Sequence, residues 1–320
     1  MKKKFKAIDL FAGIGGIRIG FESAGFETIY ANDFDKQASE TYSKNFGDID
    51  ASDFLKVIEE KGMKKIPKHF DILLGGFPCQ PFSVAGNKRG FADKNRGNLL
   101  FAVIEVLKAR KPKAIFLENV KHLRNHDDEK TFKRIQEELK RAGYYMKAEV
   151  LNSMTHGNVP QTRERIYIVA FRSPRTLMKF HFPAAVPLTK KMSHILEKDV
   201  DDSYYYDNRY KEIYPKLRTA VKNRDRFYQY RRVYVRENKT GVCPTLTASM
   251  GLGGHNVPII RDSKGIRKLT PRECARLQGF PESFSFPTQA NGHLYKQVGN
   301  SVTIPVVARI AENIRIALEA

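Results

Sequence analysis

The sequence predicts an α/β protein: a doubly wound mixed sheet with a second, smaller and irregular domain. Three observations predict it. From residue 4 to about 171, strand-like apolar runs alternate with helical patterns, which is how a sheet wound by crossover helices reads. Near Arg172 that rhythm stops, and residues 173 to about 265 hold short Tyr- and Arg-rich segments broken by prolines and a glycine-rich turn. The final stretch, Ile304 to Ala320, puts Val307, Ile310, Ile314 and Leu318 on one helical face that should return to the large domain. The expected division is 1–172 plus 303–320 for the large domain and 173–302 for the small one.

Taken in order, the expected strands are Lys6–Phe11, Thr28–Ala31, Asp71–Leu74, Ala114–Leu117, Met146–Leu151 and Arg165–Phe171. Asn98 to Arg110 reads as a helix, because Leu99, Leu100, Val103, Ile104 and Leu107 recur at helical spacing. A second helix runs from Thr131 to Arg141 and stops before Gly143. The first strand feeds Asp9-Leu-Phe-Ala-Gly13-Ile-Gly15-Gly16, whose glycines allow a tight turn and close approach of a ligand to a helix N-terminus. It is not the dinucleotide fingerprint, since the third glycine position is Arg18. The second strand ends Asn32-Asp33-Phe34, with Asp33 20 residues after Gly13, where an acid can hold ribose hydroxyls and Phe34 can pack on an adenine. Without a phosphate-binding GK[ST], these features favour an adenosine-type cofactor over a nucleoside triphosphate.

The third strand runs into Gly75-Gly76-Phe77-Pro78-Cys79-Gln80-Pro81. Flanking prolines stiffen the backbone, so the thiol falls on a rigid loop past the carboxyl end of a core strand, where open α/β sheets bind ligands. Cys79 is read as a nucleophile; the alternative is a buried thiol acting as a small hydrophobe. Ser83 to Gly97 carries three glycines with Lys88, Arg89, Lys94 and Arg96, and is expected to be a loop closing over a substrate, or else a solvated basic loop.

Composition narrows the partners. Lys and Arg total 56 against 35 Asp and Glu, a net charge of +21 that favours nucleic acid. Three cysteines (79, 243 and 274) without a CxxC pair exclude a disulfide framework and a zinc finger, and fit a reducing cytoplasm. No metal is expected. The basic start lacks the apolar stretch of a signal peptide, and no run of 18 apolar residues exists, so no membrane association is expected. Residues 209–239 hold eleven Lys or Arg against three acids, with five tyrosines interleaved. Arg231 and Arg232 precede Val233-Tyr234, and Arg232 is the leading base-reading candidate, a plain phosphate contact being the alternative.

Seven motifs occur in order: DLFAGIGG (9–16), GGFPCQPFS (75–83), RGNLLF (96–101), FLENV (116–120), QTRERIYIVAF (161–171), RKLTPRECARLQGFPESF (267–284) and YKQVGNSV (295–302). In this set the chain resembles the bacterial cytosine-5 DNA methyltransferases of the restriction–modification type. CPTLTASMGLGG (243–254) is similar to the family's Thr-Leu recognition motif. The resemblance implies an S-adenosylmethionine-dependent methyltransferase sheet, a target-recognition domain, and S-adenosyl-L-methionine as cofactor, leaving S-adenosyl-L-homocysteine. Residue by residue, it implies that Cys79 attacks cytosine C6, that Glu118 holds and protonates N3, and that Arg163 and Arg165 lie beside the base. Cofactor contacts are implied for Asp9, Phe11, Gly13, Gly15, Gly16, Asp33, Phe34, Gly76, Pro78, Leu99, Asn300 and Ser301. The family's next cofactor acid matches either Asp53-Phe54 or Asp48-Ile49. DNA contacts are implied for Ser83, Lys88, Arg89, Arg96, Arg231, Arg232, Thr245, Leu246, Gly253 and Gly254.

These roles fit the chemistry. C5 of cytosine is a weak nucleophile until a thiolate at C6 turns the ring into an enamine. Glu118 must share a proton with N3 as charge builds, and burial at a strand end would suit that task. It could instead be a helix N-terminal carboxylate, and Arg163 and Arg165 could be salt-bridge partners of Glu164. A base inside a duplex is out of reach, so the cytosine should be flipped out. A monomer on double-stranded DNA is expected, with a cognate restriction endonuclease a possible companion. The rivals are a tRNA cytosine-5 methyltransferase and a non-catalytic DNA-binding protein on the same scaffold. Amino-group methylation needs a Pro-Pro-aromatic motif after Asp or Asn, which is absent.

Overall fold

The computed structural model describes residues 4–59, 63–77, 99–231, 233–252 and 255–320. Its contacts divide the chain into two units. The larger comprises Met1–Leu151, Glu164–Pro183 and Val307–Ala320; the smaller comprises Asn152–Arg163 and Ala184–Val306. Residues 152–163 and 303–306 thus group with the smaller unit, and 173–183 with the larger.

The larger unit is built on β1 (Lys6–Leu10), β2 (Glu27–Asn32), β3 (Ile72–Gly75), β4 (Ala114–Val120), β5 (Tyr145–Asn152) and, beyond the two-residue β6 (Gln161–Thr162), β7 (Glu164–Phe171). They form a six-stranded sheet in the order β2-β1-β3-β4-β7-β5. The first four strands pair in parallel, and β7 runs antiparallel to β4. Helices α1 (Gly16–Ser23), α2 (Lys36–Phe46), α3 (Phe54–Glu59), α4 (Leu99–Arg110) and α5 (Lys130–Arg141) connect them. The central strands read as continuous apolar runs because both faces are covered. On one face Ile8, Leu73, Leu117 and Ile168 pack in a core shared with Val103 and Leu107 of α4 and Leu139 of α5. On the other, Phe116 meets Phe21 of α1 edge-on at 5.0 Å. Each such fully buried side chain contributes roughly 1.5–3 kcal/mol.

Two features differ from expectation with consequences for function. β4 does not end at Leu117: pairing with β7 continues through Glu118↔Tyr167, Asn119↔Ile166 and Val120↔Arg165. Glu118 is therefore a strand residue and not a helix N-terminal carboxylate. Second, the smaller unit is more regular than its sequence suggests. It holds α6 (Ser153–Gly157), α8 (Tyr214–Ala220), α9 (Pro271–Arg276) and α10 (Asn291–Asn300), while α7 (Pro174–Lys179) lies in the larger unit. β8 (Phe227–Arg231), β9 (Tyr234–Asn238), β11 (Ile259–Arg261) and β12 (Ile266–Lys268) form an antiparallel sheet in the order β12-β11-β8-β9, and β10 (Cys243–Pro244) pairs with β6. Leu217 and Val221 around α8 pack with Tyr228, Ile259 and Ile266. The final helix, α11 (Ile304–Glu319), enters the larger unit at Val307, against Gly20 of α1.

A fully buried ion pair organises the start of α9. Arg267 donates to both Glu273 carboxylate oxygens at 2.8 and 2.7 Å and to Asp262 at 2.6 Å, and Glu273 also accepts from the Thr270 amide. Such pairs specify geometry more than they add stability, but removing one partner leaves an uncompensated charge. Among the described residues no helix is long and apolar enough to cross a membrane.

Candidate active site

Strand register places the catalytic candidates of the larger unit. Glu118 on β4 and Arg165 on β7 are diagonal neighbours on one face, because Glu118 pairs with Tyr167 and Val120 with Arg165. The Arg165 Nε lies 3.2 Å from Glu118 Oε1, with side-chain exposures of 13% and 10%. Glu164 turns the other way and takes Lys121 at 2.9 Å, so the two arginine-and-acid options of the sequence separate cleanly. A methyl group placed on Gly76, just past β3, would touch Glu118 Oε2 at 3.8 Å, so backbone and carboxylate are neighbours there. The next residue, Phe77, is buried, and its carbonyl accepts from the Asn119 side-chain amide at 2.9 Å. Pro78 and Cys79 follow immediately and lie outside the described residues, as do Ser83, Lys88, Arg89, Arg96, Arg232, Gly253 and Gly254.

The first βα turn is shaped for close approach. Phe11 has φ 58°, a left-handed conformation that bulky residues rarely adopt, and its ring meets Phe54 edge-on at 5.4 Å. Gly15 has φ 84°, and a Cβ there would sit 2.3 Å from the Phe46 ring, so only glycine fits. Gly16 opens α1 and Gly13 has φ 55°. Asp33 ties the turn to the end of β2: one oxygen accepts from the Gly13 amide at 2.8 Å and the other from Asp35 at 2.8 Å. The Phe34 ring beside it is 68% exposed.

Asp9, on β1 below this turn, is fully buried, and neither carboxylate oxygen finds a hydrogen bond among the described residues. Burial pushes its pKa up to about 7, against the lowering effect of the nearby Arg18 charge. The two options for the next cofactor acid flank a third acid. A parallel bridge Asn32↔Asp50 brings residues 48–54 alongside β2. Ile49 packs by Tyr42 and Phe54 by the main core, while Asp48 and Asp53 are exposed. Asp50 is held by Tyr30, Ser52 and Lys65. Leu99 starts α4, half-buried against the core.

In the smaller unit, Arg163 is 2% exposed and gives its guanidinium to carbonyls: Leu246 at 2.6 Å, Gly299 at 3.2 Å and Ser301 at 2.5 Å. The sequence put it beside the base; in place, it clamps the Thr-Leu segment to the end of α10. Leu246 is likewise 1% exposed, with its amide bonded to Gln161, so it fixes backbone and offers no surface to DNA. Thr245 is half-buried and donates to the Thr162 carbonyl at 2.6 Å. A Cβ on Gly299 would lie 2.3 Å from the Thr247 backbone, which requires glycine where α10 meets this segment. Asn300 is exposed at the end of α10, next to Ser301. Arg231 is exposed at the end of β8 and bonds Gln229.

Comparison with known proteins decides the family. The profile of the C-5 cytosine-specific DNA methylases matches residues 5–315. The chain belongs to that family. It is 51% identical over 309 residues to Type II methyltransferase M.Bsp6I of Bacillus sp. (strain RFL6), covering 95% of this chain and 96% of the relative. Type II methyltransferase M.HhaI of Haemophilus parahaemolyticus is 37% identical, with 96% and 93% covered. Among solved structures, Entamoeba histolytica methyltransferase EhMeth superposes with a TM-score of 0.73 at 22% identity, covering all of both chains. A Spodoptera frugiperda DNMT2 mutant gives 0.74 at 19%, with 98% and 100% covered. At those identities the structural likeness speaks for the fold.

For a C-5 cytosine methylase, one residue passed over in the sequence stands out. Asn119 lies inside the FLENV segment, where attention falls on Glu118. Its position on β4, facing the carbonyl that precedes Pro78, emerges only from the pairing of β3 with β4. Among the described residues no cluster of His, Cys, Asp or Glu could hold a metal.

Proposed function

We propose that this DNA (cytosine-5-)-methyltransferase flips a target cytosine out of double-stranded DNA and methylates C5 within a short specific sequence, protecting DNA as part of a restriction–modification system. The observation that carries the reading is the Glu118–Arg165 pair beside Gly76, three residues before the only cysteine in a Gly-Gly-Phe-Pro-Cys context. Cys79 as thiolate adds to C6, and the electron pair moves through the ring toward N3. Glu118, oriented by Arg165, holds a proton at N3 and limits the charge that builds there. S-adenosyl-L-methionine supplies the methyl group that the activated C5 takes. Loss of the C5 proton then expels the Cys79 sulfur and restores the aromatic ring, so the thiolate is regenerated.

Several residues fit that cofactor. The glycine turn 13–16 offers backbone at close range, Asp33 sits where ribose hydroxyls would be held, and Phe34 presents an open ring for an adenine face. The fully buried Asp9 carboxylate, without a hydrogen bond among the described residues, is an acid that a positively charged sulfonium or ammonium would suit. The family profile and the Type II relatives favour DNA over the tRNA alternative. The proposed setting is a monomer on DNA in a bacterial cytoplasm, with a cognate endonuclease sharing its site.

The thiol step is tested with DNA in which 5-fluorocytosine replaces cytosine. Fluorine blocks removal of the C5 substituent, so the enzyme with its cofactor should remain covalently bound to DNA through denaturing electrophoresis. Wild-type protein that methylates normal DNA yet leaves no such adduct would overturn the mechanism.

A further inference from the structure

His255 directly follows the glycine-rich sequence Gly251-Leu-Gly-Gly254 and is half-buried, its ring bonded and packed on several sides. Its Nδ1 lies 2.9 Å from the Tyr206 hydroxyl. The rings of Tyr206, Tyr230 and Tyr210 stand 5.5, 5.8 and 6.0 Å from its centroid, and Tyr206 packs on Tyr210 at 4.9 Å. With Nδ1 taken and the ring braced, Nε2 is the atom left to bond, and among the described residues nothing bonds it.

Lys268 shares this face. It pairs with Ile259, which in turn pairs with Tyr228, so all three side chains lie on the side of the sheet that also carries Tyr230. Its ammonium lies over the Tyr204 ring at 5.5 Å and meets no carboxylate among the described residues. A half-buried ammonium without a counter-charge is costly unless a partner supplies acceptors. Burial, together with the Lys268 charge, keeps His255 below its ordinary pKa, so the imidazole is neutral near pH 7. With the Tyr206 hydroxyl donating to Nδ1, the ring proton sits on Nε2, and imidazole and ammonium are two donors on the Tyr230 side of the sheet. No acid faces them from α8 or β11; the charged neighbour is Lys216 of α8, which lies over Tyr230 of β8.

We propose that His255 and Lys268 form a base-reading point that donates to the two acceptors, N7 and O6, on the major-groove edge of one guanine in the recognition site. This rests on the DNA-methylating reading above. The rigid cage supplies what a reading residue needs, because a donor that cannot swing away loses its bond when the base is wrong.

The test uses His255→Phe, which keeps an aromatic ring in the cage, and Lys268→Met, which keeps the stem. Each variant is compared with wild type by bisulfite sequencing of methylated plasmid, by kcat/KM at several salt concentrations, and by thermal melting. Expected are unchanged melting, a loss of about tenfold or more in kcat/KM at the preferred site, and methylation spreading to sites that differ at one guanine. Equal losses at every site with a salt slope reduced by about 1 would assign the pair to a phosphate and overturn base reading. Unaltered rate and site choice, or losses that only follow a lowered melting temperature, would also overturn it. If wild type methylates nothing, the activity itself fails and this inference falls with it, a result distinct from each variant outcome.

Discussion

Glu118 and Arg165 face each other because two strands pair in a particular register, and each should fail in its own way. Replacing Glu118 by Gln keeps shape but loses the exchangeable proton; kcat should fall roughly a hundred- to ten-thousandfold with DNA affinity retained, as steady-state and binding assays would show. Arg165→Leu leaves the nearly buried Glu118 carboxylate without its cation, so stability should drop by roughly 3 kcal/mol alongside activity, measurable by denaturant titration. Asp9 gives a pH signature. Its folded-state pKa is raised to about 7, so between pH 4 and 7 the native protein holds a proton that the unfolded chain has released. Stability therefore falls as pH rises through that window and levels off above it. Asp9→Asn should flatten this dependence, and melting curves from pH 5 to 8 that keep the wild-type slope would contradict the assignment. Sequence motifs pointed to Glu118, Asp33 and Cys79 directly. They left the partner of Arg165 open between Glu164 and another acid, because that choice depends on the β4–β7 register.

At the scale of elements, the site depends on how strand ends and turns are tied together. The Asn119 side chain holds the last carbonyl before the Pro-Cys segment. Asn119→Ala should cost about 1–3 kcal/mol for the unsatisfied buried group and lower kcat more than it raises KM, since it loosens the approach to the thiol and not the DNA surface. Gly299→Ala should cost a similar amount by pushing α10 off the Thr247 backbone, seen as a lower melting temperature. The long apolar strands β1, β3, β4 and β7 and helices α4, α5 and α11 were legible because burial on both faces, or one helical stripe, leaves a strong periodic signal. The antiparallel sheet of the smaller unit was not. Its strands are three to five residues long, rich in Tyr and Arg, and half exposed, so alternation is brief. The β-prone runs Phe227–Arg231 and Tyr234–Asn238, close together in the sequence and paired antiparallel in the fold, were the signal that could have found it. The burial of Arg163 and Leu246 was not legible for the opposite reason: their motif is informative, but which side faces the interior is decided by the close packing of α10.

For the whole molecule, a net charge of +21 implies that DNA affinity comes largely from phosphate neutralisation. Binding should weaken steeply and linearly in log–log terms as salt rises, while site preference persists, because base contacts do not release counterions. The larger unit carries the Glu118 site and the glycine turn, and the smaller carries the Arg- and Tyr-rich sheet. What the molecule is built to do, on this reading, is transfer a methyl group to C5 of cytosine in one sequence context. Its most direct measurement is bisulfite sequencing of unmethylated plasmid after incubation with purified protein and S-adenosyl-L-methionine. Protected cytosines should be confined to one short recurring sequence, and none should appear with Cys79→Ser. Complete conversion at every cytosine with wild-type protein, or protection that survives Cys79→Ser, would contradict it.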